Sequence, residues 1–300
     1  MISLALYLSL PEGVRRLEGQ TPRAFLKEES ASANPDLLPF FDLPLGRVYV
    51  GAEFCTHLLP GPVAIRNLAT VLNRIKLPFT FLTPPTPQNA LAKVRRILSS
   101  LERLAVDREE GIEVVINDWG VLRMMNRYPS LQPVLGRGMA KLYNDTHFKV
   151  EKDPVFAKVL PELRGNSCTV PAYRDYLRSL GIQRMEFDWP EQGIDMDFAG
   201  WGFALSLYVP FVHLASGRRC PTGASTLPYF ERSRLERRCS RPCRDVMVLV
   251  QHVRRGAGPA LFCRGNTLYQ HSTHLPDLQP PRLAEMGFDR LVLFARYPWQ

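Results

Sequence analysis

Short apolar runs alternate with amphipathic stretches along most of this chain, and that alternation restricts the fold more than any other feature. Ile2–Leu8 reads as a strand, and Glu12 to Phe41 as a helix with an irregular loop carrying Pro22, Pro35 and Pro39. Arg47 to Glu53 reads as a second strand. Pro62 to Lys76 then sets Val63, Leu68, Val71, Leu72 and Ile75 at helical spacing, with Pro62 suited to a first turn. Phe79–Thr83 is a third strand, closed by Pro84-Pro85. Gln88 to Val106 is an amphipathic helix with Leu91, Val94, Ile97, Leu98, Leu101 and Leu104 on one stripe. Glu113 to Asp118 is a strand of buried type, Gly120 to Arg127 a helix and Val134 to Gly136 a short strand.

The segment 141–166 breaks this rhythm. It is polar, holds Pro154 and Pro161, and reads as a long loop or excursion. Alternation resumes with a helix over Ala172–Leu180, ended by Gly181, and strands over Gln183–Asp188 and Phe203–Phe211. Further strands are expected over Val246–Val253 and Ala260–Cys263, with Leu268–Gln270 beside them. A helix over Pro281–Gly287 precedes a last strand, Arg290–Phe294. A strand–helix–strand order returns the chain to the same edge, so consecutive strands run parallel. About eight such units predict an α/β fold, a (β/α)8 barrel of the TIM type with room for distortion. No linker or internal repeat divides it, so residues 1–300 are read as one domain.

The stretch 218–244 has no strong periodicity of its own. It holds Cys220, Cys239 and Cys243, the last two spaced C-x3-C, among Arg218, Arg219, Arg232, Arg234, Arg237, Arg238, Arg241 and Arg244. Thiolates so close together repel unless a cation binds them, which points to a metal or cluster site. Three thiolates need a fourth ligand from elsewhere, and Cys55, Cys168 and Cys263 are the remaining candidates. Zinc fits C-x2-4-C spacings as well as an iron–sulfur cluster does, and spacing alone does not separate them. Buried structural thiols are the third reading. The arginines could offset a cluster's negative charge, contact phosphates or form a solvated face.

Six cysteines in 300 residues are too sparse for a secreted disulfide framework. Met1 to Leu10 lacks a preceding basic region and a small-residue cleavage site, so no signal peptide is expected. The apolar run from Trp201 to Ala215 contains Pro210 and His213 and falls short of a membrane span. These features predict a cytoplasmic protein. The net charge of +9 suggests an acidic partner, whether RNA, an anionic metabolite or a protein subunit.

In a barrel of this kind, catalytic groups sit at the carboxyl ends of strands. Glu53, Asn117-Asp118, Glu186 with Asp188, and His213 all fall at or near such ends. Glu53, Asp118 and His213 are the candidate catalytic residues. His213 could give a proton near a cluster or be a satisfied structural histidine, and Asp118 could equally be an N-cap. There is no G-x-S-x-G, P-loop or G-x-G-x-x-G context to support a serine hydrolase or nucleotide fold.

Four segments together carry a family resemblance: Tyr49 to Cys55, Glu113 to Leu122, Leu135-Gly136-Arg137-Gly138, and the run from Cys220 to Cys239-x3-Cys243. They resemble the collagenase-like peptidase superfamily, peptidase U family thirty-two, and within it the short branch of anaerobic ubiquinone biosynthesis. The resemblance implies a barrel and a [4Fe–4S] cluster held by Cys55, Cys220, Cys239 and Cys243, with Cys168 and Cys263 as ordinary thiols. It also implies oxygen-independent hydroxylation of a quinone precursor, with a UbiU-like subunit as partner and prephenate as oxygen source. Hydroxylation of RNA bases and peptidase activity are the alternatives from the same superfamily. No residue pattern here supplies a protease nucleophile.

Overall fold

The computed structural model describes residues 2–8, 11–30, 35–106, 108, 111–143, 154–225, 227–228, 239–250, 261–272 and 274–294. Eight parallel strands close into a barrel in the order β1-β12-β7-β6-β5-β4-β3-β2. They are β1 (Ser3–Leu8), β2 (Leu45–Gly51), β3 (Phe79–Thr83), β4 (Ile112–Ile116), β5 (Leu131–Leu135), β6 (Arg184–Phe187), β7 (Ala204–Val209) and β12 (Arg290–Phe294). β1 closes the ring by pairing with both β2 and β12. The expected α/β barrel is therefore present.

Its helices follow the amphipathic stripes. α1 (Pro11–Leu17) and α2 (Pro22–Ser30) follow β1, α3 (Pro62–Arg74) follows β2, and α4 (Leu91–Ala105) follows β3. α4 buries Val94, Ile97, Leu98 and Leu101, the stripe expected of it. α5 (Trp119–Met125) follows β4, α6 (Pro154–Leu163) and α7 (Pro171–Ser179) follow β5, and α9 (Pro280–Glu285) leads into β12. The barrel is distorted at one point: residues 188–203, between β6 and β7, form no helix.

Three expectations need correction. The segment 141–166 is not all loop, because α6 occupies its second half; Pro154 stands in the first turn, where a missing N–H costs nothing. Residues 144–153 lie outside the described ones. The expected strand Phe203–Phe211 is barrel strand β7, but it stops before Pro210, which cannot donate to a ladder, and Phe211 opens a strand of a different sheet, β8 (Phe211–Ser216). The late strands do not join the barrel either. β8, β9 (Val248–Val250), β10 (Leu261–Arg264) and β11 (Thr267–His271) form a separate antiparallel sheet in the order β8-β11-β10-β9. This small sheet is inserted between barrel strands β7 and β12. A short helix, α8 (Pro221–Ala224), and a 3-10 turn over Pro242–Arg244 belong to the same insertion. Arg232, Arg234, Arg237 and Arg238 lie outside the described residues.

The barrel interior is polar at both ends. At the amino-terminal end Glu113 accepts from Arg290 at 2.7 and 3.0 Å and pairs with Arg47 at 2.7 Å. One layer up, the Tyr208 hydroxyl donates to Glu186 at 2.9 Å. At the carboxyl end, Arg137 donates to Glu53 and Asp188. Among the described residues no helix is long and apolar enough to cross a membrane.

Candidate functional site

The carboxyl ends of β2 to β5 are tied together by one amide. Asn117, just past β4, donates through Nδ2 to the carbonyls of Thr83 at 3.2 Å and Glu53 at 3.4 Å. Its Oδ1 accepts the backbone N–H of Gly138 at 3.1 Å. A Cβ on Gly136 would stand 2.4 Å from that oxygen, so the approach needs glycine there. The N-D-x-G and L-G-R-G segments are thus two halves of one contact, which holds the loop carrying Cys55 in place.

Past this contact lies a cleft of about 470 Å³, placed over the loops after β2, β3 and β4 and faced by the inserted sheet. Cys55, Cys220, Cys239 and Cys243 all line it, as do Lys93, Arg218, Arg241 and Asp118. The late thiols come from the insertion and the early one from the barrel. Cys55 receives backbone hydrogen bonds from His57 and Leu58, and Cys239 is near enough to interact with it. Cys220 caps α8, its sulfur accepting the Gly223 N–H at 3.2 Å. Cys239 accepts the Arg241 N–H at 3.4 Å, in a turn where Arg241 adopts a left-handed φ of 62°. Burial and the neighbouring thiols push Cys243 up to about 11, and burial raises Cys55 and Cys220 as well.

Three of the four sulfurs therefore accept backbone N–H bonds, and two arginines and a lysine share their cleft. That donor set suits a bound cationic or cluster cofactor whose thiolates need hydrogen bonds and counter-charge. Among the described residues no three His, Cys, Asp or Glu side chains are grouped tightly enough to hold a single ion. The four thiols line one cleft instead.

Cys168 and Cys263 do not line the cleft. Cys168 is buried beside α7, with its thiol pushed up to about 12 by burial. Cys263 sits on β10, near enough to Cys220 for the two thiols to interact.

The three candidate catalytic residues are not gathered into one group. Asp118 faces the cleft, yet its carboxylate is engaged: Oδ1 caps α5 through the Val121 N–H at 3.1 Å and Oδ2 accepts from Thr86 N–H at 3.2 Å. Glu53 is buried under the cleft in a two-point pair with Arg137, Nε to Oε1 at 2.6 Å and Nη2 to Oε2 at 2.8 Å. Arg137 also donates to Asp188 at 2.6 Å and to the Phe211 carbonyl at 2.8 Å, with its guanidinium 4.1 Å from the centre of the Tyr208 ring. Burial works against its charge, but Asp188 and Glu53 overrule it and hold the guanidinium ionised.

His213 lies on β8, stacked on Phe54 with ring centres 4.0 Å apart, and its Nε2 meets the Ser216 hydroxyl at 2.9 Å. Burial, together with the charges of Arg137 and Lys141, lowers its pKa to about 2. The imidazole is neutral at physiological pH, so His213 has no acidic proton to give near a cluster. The same charges disfavour an imidazolium, which makes His213 a poor base for Ser216, the hydroxyl on the cleft wall.

Sequence reasoning gave no role to Arg137, Lys93 or Asn266. Arg137 stands inside a quoted motif, which was a usable signal; Lys93, on the polar side of α4, carried none. Asn266 follows Gly265 in a two-residue turn, the kind of pair that marks a hairpin.

No family model and no curated protein sequence matches the chain. Among solved structures, a glycoside hydrolase family 18 N-acetylglucosaminidase from Paenibacillus barengoltzii aligns with a TM-score of 0.35 and 10% identity, over 100% of this chain and 96% of its own. The Ostrinia furnacalis group IV chitinase aligns at 0.34 with 8% identity, over 98% of this chain and 92% of its own. The Bacillus cereus spore cortex-lytic enzyme SleL aligns at 0.35 with 10% identity, over 99% of this chain and 72% of its own. Likenesses this slight carry no inference about chemistry.

Proposed function

We propose that this chain is an iron–sulfur protein of the UbiV type. In this reading Cys55, Cys220, Cys239 and Cys243 hold a [4Fe–4S] cluster, and the chain acts with a UbiU-like subunit in oxygen-independent hydroxylation of a ubiquinone precursor, prephenate serving as the oxygen source. The observation that carries the reading is the convergence of a thiol from the barrel and three from a distant insertion on one cleft. When bound, the cluster would supply electron transfer or activation of the substrate. The chain's own part is to hold the thiolates, donate N–H bonds to three of them and place Lys93, Arg218 and Arg241 against their charge.

Anaerobic purification with iron and sulfide quantification tests this. Wild type and Cys168→Ala should carry iron and acid-labile sulfide, and Cys239→Ala and Cys55→Ala should lose them. A zinc-loaded or metal-free wild type sinks the proposal, and a full cluster in Cys55→Ala sinks the ligand set.

The arginines and lysine of the cleft favour a second reading, in which the same site hydroxylates an RNA base and these cations contact phosphate. Steeply salt-dependent binding of transfer RNA by the anaerobic protein would select it. The peptidase alternative lacks an activated nucleophile, since His213 is a poor base for Ser216, and it requires peptide hydrolysis that survives removal of the cluster.

A further inference from the structure

The thiol of Cys55 and the late trio belong to segments joined only through a long stretch of chain, so something non-covalent must set their spacing. We propose that the tip of the β10–β11 hairpin, Arg264-Gly265-Asn266, is the clamp that assembles the four-thiol site, with Asn266 as its positioning residue. The inference rests on the four-thiol reading of the cleft.

The tip touches each segment that carries a ligand. Asn266 Nδ2 donates to the Phe54 carbonyl, one residue before Cys55, at 2.8 Å, and to the Gly217 carbonyl of the insertion, also at 2.8 Å. The Gly217 N–H returns a bond to the Asn266 carbonyl at 2.9 Å. Gly265 donates its N–H to Thr222 Oγ1 at 3.1 Å, two residues past Cys220. Arg264 Nε donates to the carbonyl of Cys243 at 3.0 Å. Cys239 joins through the turn it shares with Cys243, its sulfur accepting the Arg241 N–H.

The residue types fit these tasks. A primary amide nitrogen has two donors, and Asn266 uses that nitrogen on two carbonyls at once. A carboxylate of the same shape would set oxygen against oxygen at both points. Gly265 has φ +63°, and a Cβ on it would lie 3.3 Å from Cys243 Sγ and 3.4 Å from Cys243 Cβ. The turn thus needs glycine for its backbone and to leave the Cys243 thiol its place.

The test uses full-length protein, with Asn266→Asp as the isosteric change and Asn266→Ala as a second variant that adds no charge. Apo-protein is treated with dibromobimane, which bridges neighbouring thiols, and the bridged peptides are identified by mass spectrometry. Wild type should bridge Cys55 to a late thiol. Both variants should lose those Cys55 bridges on the order of tenfold while keeping bridges within the late trio. Loaded protein should lose iron to a chelator on the order of tenfold faster in the variants, the scale usual for residues that orient metal ligands. A structural role elsewhere would not separate Cys55 from the trio. Bridging of Cys55 unchanged in both variants overturns the proposal, and so does equal loss of all bridges with a fall in Tm. A wild type that binds no iron defeats the cluster reading alone, because the bridging comparison still decides the clamp.

Discussion

Replacing Glu186 by Gln should make the protein's stability less sensitive to rising pH between about 4.5 and about 8, by an amount the structure sets. The carboxyl is fully enclosed in the barrel, and burial, reinforced by the charge of Glu53, pushes it up to about 8 from an ordinary 4.5. In the unfolded chain it ionises at the ordinary value. Between about pH 4.5 and about pH 8 the native protein therefore holds a proton that the unfolded chain has released, and stability falls as pH rises through that window. The rise from 4.5 to about 8, at about 1.36 kcal/mol per tenfold change in proton affinity, amounts to about 5 kcal/mol. Glutamine keeps the shape, accepts the Tyr208 hydroxyl as the acid does, and does not titrate. Asp188, raised to about 6 mainly by burial, titrates in both proteins and cancels in their difference. Urea unfolding of wild type and Glu186→Gln across this range should show the variant gaining steadily on wild type, with a flat difference below about pH 4.5 and above about pH 8. Two parallel stability curves would refute the reasoning.

The opposite sign is expected of Glu113, where burial is overruled by Arg290, Arg47 and Arg184 and the carboxyl is held at about 2. Its contribution is present above the ordinary 4.5 and lost as pH falls through about 2; the drop from 4.5 to about 2 corresponds to about 3 kcal/mol. Glu113→Gln should lose about that much in urea unfolding at neutral pH and progressively less in acid; unchanged neutral stability would count against the network. Asp118→Ala should cost about 1 kcal/mol by removing the cap of α5, and Asp118→Asn should recover most of it. Iron content should not change in either, and an Asn variant as unstable as Ala would show that the cap is not what Asp118 contributes.

Local pattern was enough wherever an element's own residues carried its period or its apolar run. Phe79–Thr83 and Arg290–Phe294 begin and end in the structure where their runs do, because strands enclosed on both faces are mostly apolar and stand out from the polar segments beside them. The stripe of α4 and the proline opening α3 were legible for the same reason. The strand after Pro210 was not: hydrophobicity runs on past β7, and only Pro210, a missing donor, marks where the chain leaves the barrel for the second sheet. Helix α6 hid behind its two prolines, which read as breakers although one opens the helix.

The chain's own residues thus determined a parallel barrel and which thiols stand near one another late in the sequence, since periodicity and spacing are local properties. Only the tertiary structure decided that Glu53 and His213 sit beneath and beside the cleft, that Arg137 neutralises the barrel's carboxyl end, and that Asn266 meets Phe54. Each of those contacts joins segments far apart in sequence. A hydrogen bond across such a gap leaves no periodicity behind, because its partners are chosen by where the folded backbone brings them.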